Sequence, residues 1–329
     1  MKIVIPGGSG QVGTVLARTW HAAGHEVVEL GRRPRQAAWR TVAWDAGAGF
    51  VGDGRVGAWA RELDGADVVV NLAGRSVDCR YTAANRRLIL DSRVQSARAV
   101  GAAIVAAKRP PRVWLQASTA TIYAHRYDAA NDEVDGVLGG AEPGAPDTWR
   151  FSIEVAKAWE AAAQAVLLPH TRLVLLRSAM TMTPDHGGIF DVLLRLVRFR
   201  LGGTPGDGRQ FVSWIHGHDF ARALDWLIAR DDIAGAVNLA APEPLPFAAF
   251  QRALRQAWGA RIGLPATRWM LEVGALLLRT ETELVLKSRR VVPGRLLDAG
   301  FRFEWPQWPA AARDLCAAWR ANAATVRRP

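Results

Sequence analysis

The sequence predicts an α/β fold in which helices cover both faces of a parallel sheet, followed by a smaller, mostly helical C-terminal lobe. Three observations predict it. Short apolar runs alternate with helical patterns through the first 180 residues, a glycine-rich turn follows the first of these runs, and the pattern becomes mostly helical after about residue 180. Continuous apolar strands separated by helices are typical of a parallel sheet that is buried on both faces.

The first 180 residues supply six candidate strands. Each is a run of four or five mostly apolar residues bounded by turn-forming or helical segments. The strands lie at residues 2–5, 26–30, 41–44, 68–72, 113–117 and 172–176. Helical spacing of apolar residues predicts helices at 11–23, 83–107 and 151–167. The alternation predicts a doubly wound sheet.

Composition and charge exclude several classes of protein. The chain has 329 residues, 50% of them hydrophobic and 22% charged, which is typical of a globular protein. The net charge of +11 is spread along the chain without a run of five basic residues, so we expect no nucleic-acid partner, although a basic surface favours anionic small molecules. Cys79 and Cys316 show no metal-ligand spacing, and no metal site is predicted. Without a visible signal peptide or membrane-spanning stretch, we expect a cytoplasmic protein with no membrane partner.

The first strand runs directly into a glycine-rich turn, and a helix follows at once. Gly7, Gly10 and Gly13 give the spacing GxxGxxG. In this context the first glycine permits a tight turn, the second admits a pyrophosphate, and the third allows close packing of the helix on the strand. The turn therefore predicts a Rossmann-type dinucleotide site. Its predicted binding residues are Gly7, Ser9, Gly10, Gln11, Val12 and Gly13.

The end of the second strand favours NADP(H) over NAD(H). An NAD site usually places an acid there to bind the ribose hydroxyls. Here Gly31 occupies that place and is followed by Arg32 and Arg33, whose guanidinium groups suit a 2′-phosphate. Glu29 is the alternative, since a register shift of two residues makes it the acid.

The second half of the chain predicts a helix at 189–199, a strand at 211–215, a helix at 219–229 and a strand at 237–240. We expect residues 1–180 plus about 211–240 to form the NADP(H)-binding domain. Residues 181–210 plus 241–329 would form the smaller lobe that supplies a substrate pocket. Within 262–278, apolar residues at helical spacing predict a packed helix: Trp269, Met270, Val273 and Leu277.

Several motifs together resemble one family. They are PGGSGQVG at 6–13, NLAG at 71–74, DSR at 91–93, ASTATIY at 117–123, AWE at 158–160, PDHGG at 184–188, GRQFVSWIH at 208–216 and RVVPGR at 290–295. The chain resembles an extended short-chain dehydrogenase/reductase, within the atypical epimerase-like subgroup that has a small C-terminal domain of unknown function. The resemblance implies that Asp45 lies near the adenine, Ala73 and Gly74 beside the ribose and phosphates, and Ala117 and Ser118 at the nicotinamide end.

The usual catalytic pair of that superfamily, a Tyr with a Lys four residues later, is not found. Tyr81, Tyr123 and Tyr127 are followed at that spacing by Asn85, Tyr127 and Asn131. Alignment on Glu160 puts Ser152 and Ala156 at the two positions, and Lys157 is one residue away. The candidate catalytic residues are therefore Ser118 and Tyr123, with Thr119, Thr121, Tyr81 and Cys79 as further candidates.

Two functions stay open at this point. One is an NADP(H)-dependent epimerase-like or oxidoreductase-like enzyme with substitute acids and bases, acting on a small molecule. In that case Tyr81 would line the substrate pocket, and the resemblance implies that Arg209 clamps a substrate phosphate. The other is a non-catalytic NADP(H)-binding sensor or assembly protein, for which an intact glycine turn with a lost catalytic pair is typical.

Overall fold

The computed structural model describes residues 1–46, 57–265 and 283–326. Its strands are β1 Lys2–Pro6, β2 Glu26–Gly31, β3 Arg40–Ala43, β4 Val68–Asn71, β5 Val113–Thr119, β6 Arg172–Ser178, β7 Met180–Met182, β8 Phe211–Val212, β9 Trp214–His216, β10 Gly235–Leu239 and β11 Leu245–Pro246. The six strands predicted in the first 180 residues are confirmed, each within two residues at either end.

The described helices are α1 Gln11–Ala22, α2 Ala83–Ala106, α3 Asp147–Gln164, α4 Ile189–Arg198, α5 Gly217–Ala229, α6 Phe247–Trp258, α7 Glu283–Leu286, α8 Gly294–Asp298 and α9 Trp308–Val326. Short 3-10 turns form at Ala58–Glu62 and Ala120–Ile122. The helix predicted over 262–278 lies outside the described residues from residue 266 onward. None of the helices described is long and apolar enough to cross a membrane.

Seven parallel strands form the main sheet in the order β10-β6-β5-β4-β1-β2-β3. The chain winds outward from β1 through β2 to β3, and then returns to β4 on the other side of β1. The direction of winding therefore reverses between β1 and β4. In such a doubly wound sheet, ligands bind beyond the carboxyl ends of the strands at the point of reversal. The predicted Rossmann-type architecture is confirmed.

Alternate residues of β1 enter two separate hydrophobic cores, because side chains of a strand point to opposite faces. Ile3 packs with Leu16 of α1 and Leu224 of α5. Val4 packs with Val100 of α2 and Trp159 of α3. Both faces of the sheet are therefore buried under helices.

A third core, built largely from residues after 180, forms the smaller lobe. The ring of Phe250 stacks on that of Trp308 with centroids 4.0 Å apart, and Trp214 packs edge-on against Trp308. The sequence predicts that residues 211–240 return to the main sheet, and the structure differs at β8 and β9. These strands pair with β11 and β7 instead, because Val212 and Trp214 bury their side chains in this lobe.

The segment after residue 290 also departs from the expected division. Leu296 and Phe301 belong to the core beneath the main sheet rather than to the lobe core. The backbone of Asn131 receives a hydrogen bond from Val292 at 2.9 Å and donates one to Arg290 at 2.7 Å. The tail therefore runs beside the edge strand β10, where Arg295 donates to the carbonyl oxygens of Ala234 and Ala236, before it reaches α9.

Candidate functional site

The glycine turn after β1 is shaped by the neighbouring strand end. Gly7 has a positive φ of 76°, and a Cβ atom there would lie 2.6 Å from Cα of Ala73. Its amide donates to Leu30 at 2.8 Å, and the amide of Leu72 donates to Pro6 at 2.8 Å. Only glycine fits between the two strand ends without strain. The turn is therefore locked against the carboxyl ends of β2 and β4.

Gly10 and Gly13 have different surroundings. A Cβ at Gly10 would meet only the carbonyl oxygen of Gly7, at 3.6 Å, whereas a Cβ at Gly13 would lie 2.5 Å from the carbonyl oxygen of Gly8. Gly10 caps α1 without a side-chain hydrogen bond, and no acid stands in the first turn. The predicted close packing of Gly13 is against the turn itself rather than against β1, and the space outside Gly10 is open.

Gln11 uses its side chain inside the protein. Its Nε2 donates to Oγ1 of Thr183 at 2.6 Å. Arg18 adds two contacts from α1 to Asp185, at 3.1 and 3.3 Å. The loop that carries the PDHGG motif is therefore fastened to α1. Ser9 is exposed, whereas Val12 is only partly exposed.

At the end of β2, where Leu30 pairs with Pro6, Gly31 rather than Glu29 occupies the last position of the strand. Glu29 lies two residues earlier and is 1% exposed. Its Oε2 accepts hydrogen bonds from Arg35 and from Trp39, both at 3.0 Å. The carboxylate is thus held by a guanidinium that sequence reasoning did not select.

The remaining predicted cofactor residues lie at or near the same edge of the sheet. Arg32 and Arg33 are exposed directly after β2, and Asp45 is exposed after β3. Gly74 is exposed and Ala73 is partly exposed beyond β4. Ala117, partly exposed, lies within β5.

The two predicted catalytic residues belong to one buried network. Oγ of Ser118 donates to Glu160 at 2.6 Å. Glu160 forms a bidentate ion pair with Arg177, at 2.9 and 2.8 Å. Arg177 in turn donates to the phenol oxygen of Tyr123 at 3.0 Å, and that phenol donates to Asn238 at 2.9 Å. Ser118 and Tyr123 are 6% and 2% exposed.

Burial raises the pKa of Tyr123 above its usual value, although Arg177 acts in the opposite direction. Burial by itself would lower the pKa of Arg177, but the hydrogen bonds and charge of Glu160 raise it. Tyr123 is therefore held as a neutral phenol and Arg177 as a cation.

A cavity of about 120 Å³ opens beside the end of β5. Its lining comes from α2, α3, the loop after β4, the end of β5 and the segment that begins at residue 283: Val77, Tyr81, Ile89, Arg93, Thr119, Thr121, Phe151, Ser152, Val155, Ala156, Trp159, Glu283 and Arg289. Ser152 and Ala156, the positions that the sequence predicts for the usual catalytic pair, both line it. Ser118 and Tyr123 do not.

Ser152 meets two groups that its place in the sequence does not suggest. Its Oγ lies 2.5 Å from Oε2 of Glu283 and 3.5 Å from the phenol oxygen of Tyr81. Glu283 is 1% exposed, and its Oε1 lies 3.6 Å from Nη2 of Arg289. Arg289 also donates from Nε to Oγ1 of Thr121 at 3.1 Å. A serine, an acid and a cation are thus brought together at one wall.

Lys287 lies behind this wall. It is 2% exposed, and its Nζ donates to the carbonyl oxygen of Thr121 at 2.8 Å. Burial, reinforced by the positive charge of Arg289, lowers the pKa of Lys287 to about 8. Sequence reasoning did not select Glu283, Lys287 or Arg289, because their surroundings contain no local motif for a catalytic site.

Arg209 and Lys157 lie apart from the cavity, whereas Tyr81 lines it. Arg209 is exposed, and its guanidinium lies 5.9 Å from the ring centroid of Tyr127. Lys157 is also exposed and donates to the carbonyl oxygen of Gly139 at 2.6 Å. Tyr81, by contrast, is 8% exposed and packs edge-on against Phe151. Of the two predicted substrate-binding residues, the cavity is thus lined by Tyr81 and not by Arg209.

Two parts of the chain match known families. Residues 3–143 match the NAD dependent epimerase/dehydratase family. Residues 266–315 match a domain of unknown function, DUF1731. The first match covers the glycine turn and the strand ends around it. The second covers a segment that includes Glu283 and Arg289 of the cavity wall.

The chain is similar along its length to proteins of animals and bacteria. Epimerase family protein SDR39U1 of Bos taurus is 32% identical over 323 residues, which cover 96% of this chain and all of that protein. The human SDR39U1 is 30% identical over 322 residues, with the same coverage. Epimerase family protein YfhF of Bacillus subtilis is 28% identical over 317 residues, covering 96% of this chain and 98% of YfhF.

Solved structures extend the comparison. A crystal structure of human SDR39U1 (isoform 2) with NADPH matches with a TM-score of 0.80 and 28% identity, over 96% of this chain and 99% of that one. MoeE5 in complex with UDP-glucose and NAD matches with a TM-score of 0.70 and 19% identity, over 98% and 100%, which shows the fold alone. The chain therefore belongs to the epimerase family, in the group that joins an NAD dependent epimerase/dehydratase domain to DUF1731 and includes SDR39U1.

Proposed function

We propose that this chain binds NADP(H) beyond the carboxyl ends of β1, β2 and β4 and acts on a small molecule as an epimerase-like or oxidoreductase-like enzyme. The N-terminus of α1 supports the binding step most strongly. Gly10 caps it without a side-chain hydrogen bond, no acid stands in the first turn, and the space outside Gly10 is open. Backbone amides and the positive end of the helix dipole then favour a diphosphate.

The choice of NADP(H) rests on the end of β2. Gly31 leaves no carboxylate at the last position of the strand, and Arg32 and Arg33 follow it, exposed. Glu29 is engaged by Arg35 and Trp39. A 2′-phosphate favours guanidinium groups and the absence of an acid. The crystal structure of human SDR39U1 with NADPH is consistent with this choice.

The residues that would hold the cofactor follow from these positions. The backbone of residues 7–13 would hold the pyrophosphate, and Arg32 and Arg33 the 2′-phosphate. We assign Asp45 to the adenine, Ala73 and Gly74 to the ribose and phosphates, and Ala117 to the nicotinamide end. A bound nicotinamide would supply hydride transfer.

We assign proton transfer to the cavity wall rather than to a Tyr–Lys pair. Ser152 Oγ can accept a proton from a substrate hydroxyl while its own proton passes to Glu283 Oε2, which is 2.5 Å away. Ser118 and Tyr123 act as positioning residues in this proposal. Their hydroxyls bind Glu160 and Asn238 rather than lining the cavity.

A non-catalytic NADP(H) sensor is the second candidate. It is favoured by the buried network, because both hydroxyls predicted from the sequence to act on a substrate are engaged inside the protein. The exposed Lys157, which donates to Gly139, also lies away from the cavity. The two functions share the cofactor site and differ only in turnover.

Fluorescence titration with NADPH and NADH tests the shared binding step. We expect wild-type protein to bind NADPH more tightly, and Gly10→Asp to abolish binding, because a carboxylate would stand where the diphosphate approaches. Ala23→Asp, at an exposed residue that ends α1 with an ordinary φ of −79°, is the control and should bind as wild type. Unchanged affinity in Gly10→Asp would overturn the proposal.

Turnover separates the two candidates. NADPH consumption is followed with a panel of aldehydes, ketones and keto acids. Oxidation of NADPH that Glu283→Gln slows would support the enzyme and its assigned proton acceptor. Tight NADPH binding without consumption across the panel would favour the sensor.

A further inference from the structure

Arg93 on α2 brings a positive charge into the cavity wall. Its Nη1 donates to the carbonyl oxygens of Arg75 and Ile89, at 3.0 and 3.1 Å. The guanidinium carbon lies 5.1 Å from the ring centroid of Trp159. Burial lowers the pKa of Arg93 to about 10, so the group is still a cation at neutral pH.

Within the described part of the chain, Arg93 forms no ion pair. This distinguishes it from two other arginines in the neighbourhood: Arg177 pairs with Glu160 at 2.8 Å, and Arg289 lies 3.6 Å from Glu283. Arg93 is partly buried, and a partly desolvated cation without an anion is costly, so proteins usually compensate such charges with a partner. Carbonyl oxygens and an aromatic face offset only part of that cost.

The position of Arg93 indicates which kind of group pairs with its positive charge. It lines the same cavity as Ser152 and Glu283. A Cβ on Gly74 would lie 3.2 Å from the guanidinium carbon, so Arg93 also lies close to the strand end assigned to the cofactor. We propose that the Arg93 guanidinium binds an oxyanion, a carboxylate or a phosphate, of the ligand that occupies this cavity.

This inference rests on the proposed function and names its substrate class. Apolar side chains also line the cavity, among them Phe151, Val155 and Trp159. The site therefore suits a small acid with an apolar body. In this proposal Arg93 replaces the exposed Arg209 as the anchor, because Arg93 lines the cavity and Arg209 does not.

Calorimetric titration with acetate, benzoate and inorganic phosphate tests the inference, with and without saturating NADPH. We expect at least one anion to bind the wild-type protein saturably. Arg93→Met should weaken it about tenfold or more, the loss typical of one charge-assisted hydrogen bond. Arg98→Met, an exposed arginine on the same helix, should bind as wild type. If Arg93→Met does not fold, Arg93→Lys should still weaken binding, because lysine lacks the planar fork.

The source of the oxyanion is read from the same titrations. A substrate oxyanion predicts that anion binding persists with NADPH bound and that Arg93→Met leaves NADPH affinity unchanged. A cofactor phosphate predicts competition between the anions and NADPH, and a tenfold or larger loss of NADPH affinity in Arg93→Met. Unchanged affinities for NADPH and for all three anions in the Arg93 variants would overturn the inference. Failure of the wild-type protein to bind NADPH would instead contradict the proposed function, and the anion titrations would still decide the role of Arg93.

Discussion

The hydroxyl oxygen of Ser152 lies 2.5 Å from the carboxylate of Glu283, across 131 positions of the chain. Ser152 stands at the position that the sequence resemblance predicts for the tyrosine of the usual catalytic pair, and Glu283 lies within the segment that matches DUF1731. The contact therefore joins α3, which packs against the main sheet, to the segment that matches DUF1731 at the cavity wall.

Glu283→Gln should destabilise the protein by about 3 kcal/mol, because it removes the buried negative charge that lies beside Arg289. Where a substrate is found, turnover should also fall about 100-fold or more, as expected for the loss of a general base. Urea unfolding and NADPH consumption measure the two effects. Glu154→Gln, an exposed acid on α3, is the control. A stability equal to that of this control would contradict a buried ion pair.

Arg177→Met should cost about 3–5 kcal/mol of unfolding free energy, because it leaves the carboxylate of Glu160 buried without its cation. Loss of Arg177 should also release the phenol of Tyr123 from one hydrogen-bond donor. Urea unfolding of the variant tests the first expectation. Arg230→Met, which breaks a solvent-exposed pair with Asp232, should change stability little. Equal losses of unfolding free energy in the two variants would show that burial does not increase the contribution of the Glu160–Arg177 pair to stability.

The lowered pKa of Lys287 predicts that the unfolding free energy of the protein depends on pH. Its pKa of about 8 in the folded state lies below the usual 10.5, so the unfolded chain binds more protons between these values. The contribution of Lys287 to folding is therefore least favourable below pH 8 and improves as the pH rises towards 10.5, by at most about 1.4 kcal/mol per pH unit. The difference in unfolding free energy between wild type and Lys287→Met should accordingly rise with pH. Lys157→Met, an exposed lysine, is the control, and a flat difference for Lys287 would refute its desolvation.

Gly10→Ala and Gly13→Ala should separate binding from stability. A methyl group at Gly13 would lie within 2.7 Å of the backbone of Gly8, which should cost about 1–3 kcal/mol. At Gly10 the methyl group meets only one atom, at 3.6 Å, so stability should change by no more than about 1 kcal/mol. NADPH affinity should nevertheless fall in Gly10→Ala. Chemical unfolding and fluorescence titration of both variants check these outcomes, and the reverse order of stabilities would be incompatible with the turn described.

Replacement of Arg32 and Arg33 together by serine should reduce NADPH affinity about tenfold or more while leaving NADH affinity nearly unchanged. The reason is that the two guanidinium groups are proposed to contact only the 2′-phosphate, and charge-assisted hydrogen bonds are worth about 1.5–3 kcal/mol. Parallel titrations with both nucleotides measure the ratio. Arg252→Ser, an exposed arginine on α6, is the control. Equal losses of affinity for NADPH and NADH would show that the two arginines attract nucleotides in general and do not recognise the 2′-phosphate.

Sequence alone determined the main sheet and the cofactor turn. Strand and helix periodicity are local properties, so six strands were located within two residues at either end. The GxxGxxG spacing is also local, and the structure gives each of its three glycines a separate steric environment. The register that puts Gly31 at the end of β2 likewise followed from the apolar run before it.

Tertiary structure decided the composition of the cavity. Arg93, Ser152 and Glu283 come from distant parts of the chain, and no spacing rule links them. The same is true of Tyr123 and Ser118, which read as reactive loop hydroxyls in the sequence and lie buried around Glu160 and Arg177. The local sequence pattern indicates which face of a helix or strand is apolar. The partner of a polar side chain, by contrast, depends on which helices and strands the fold brings together. That is why the glycine turn could be recognised from the sequence, and why the groups that surround the cavity became visible only in three dimensions.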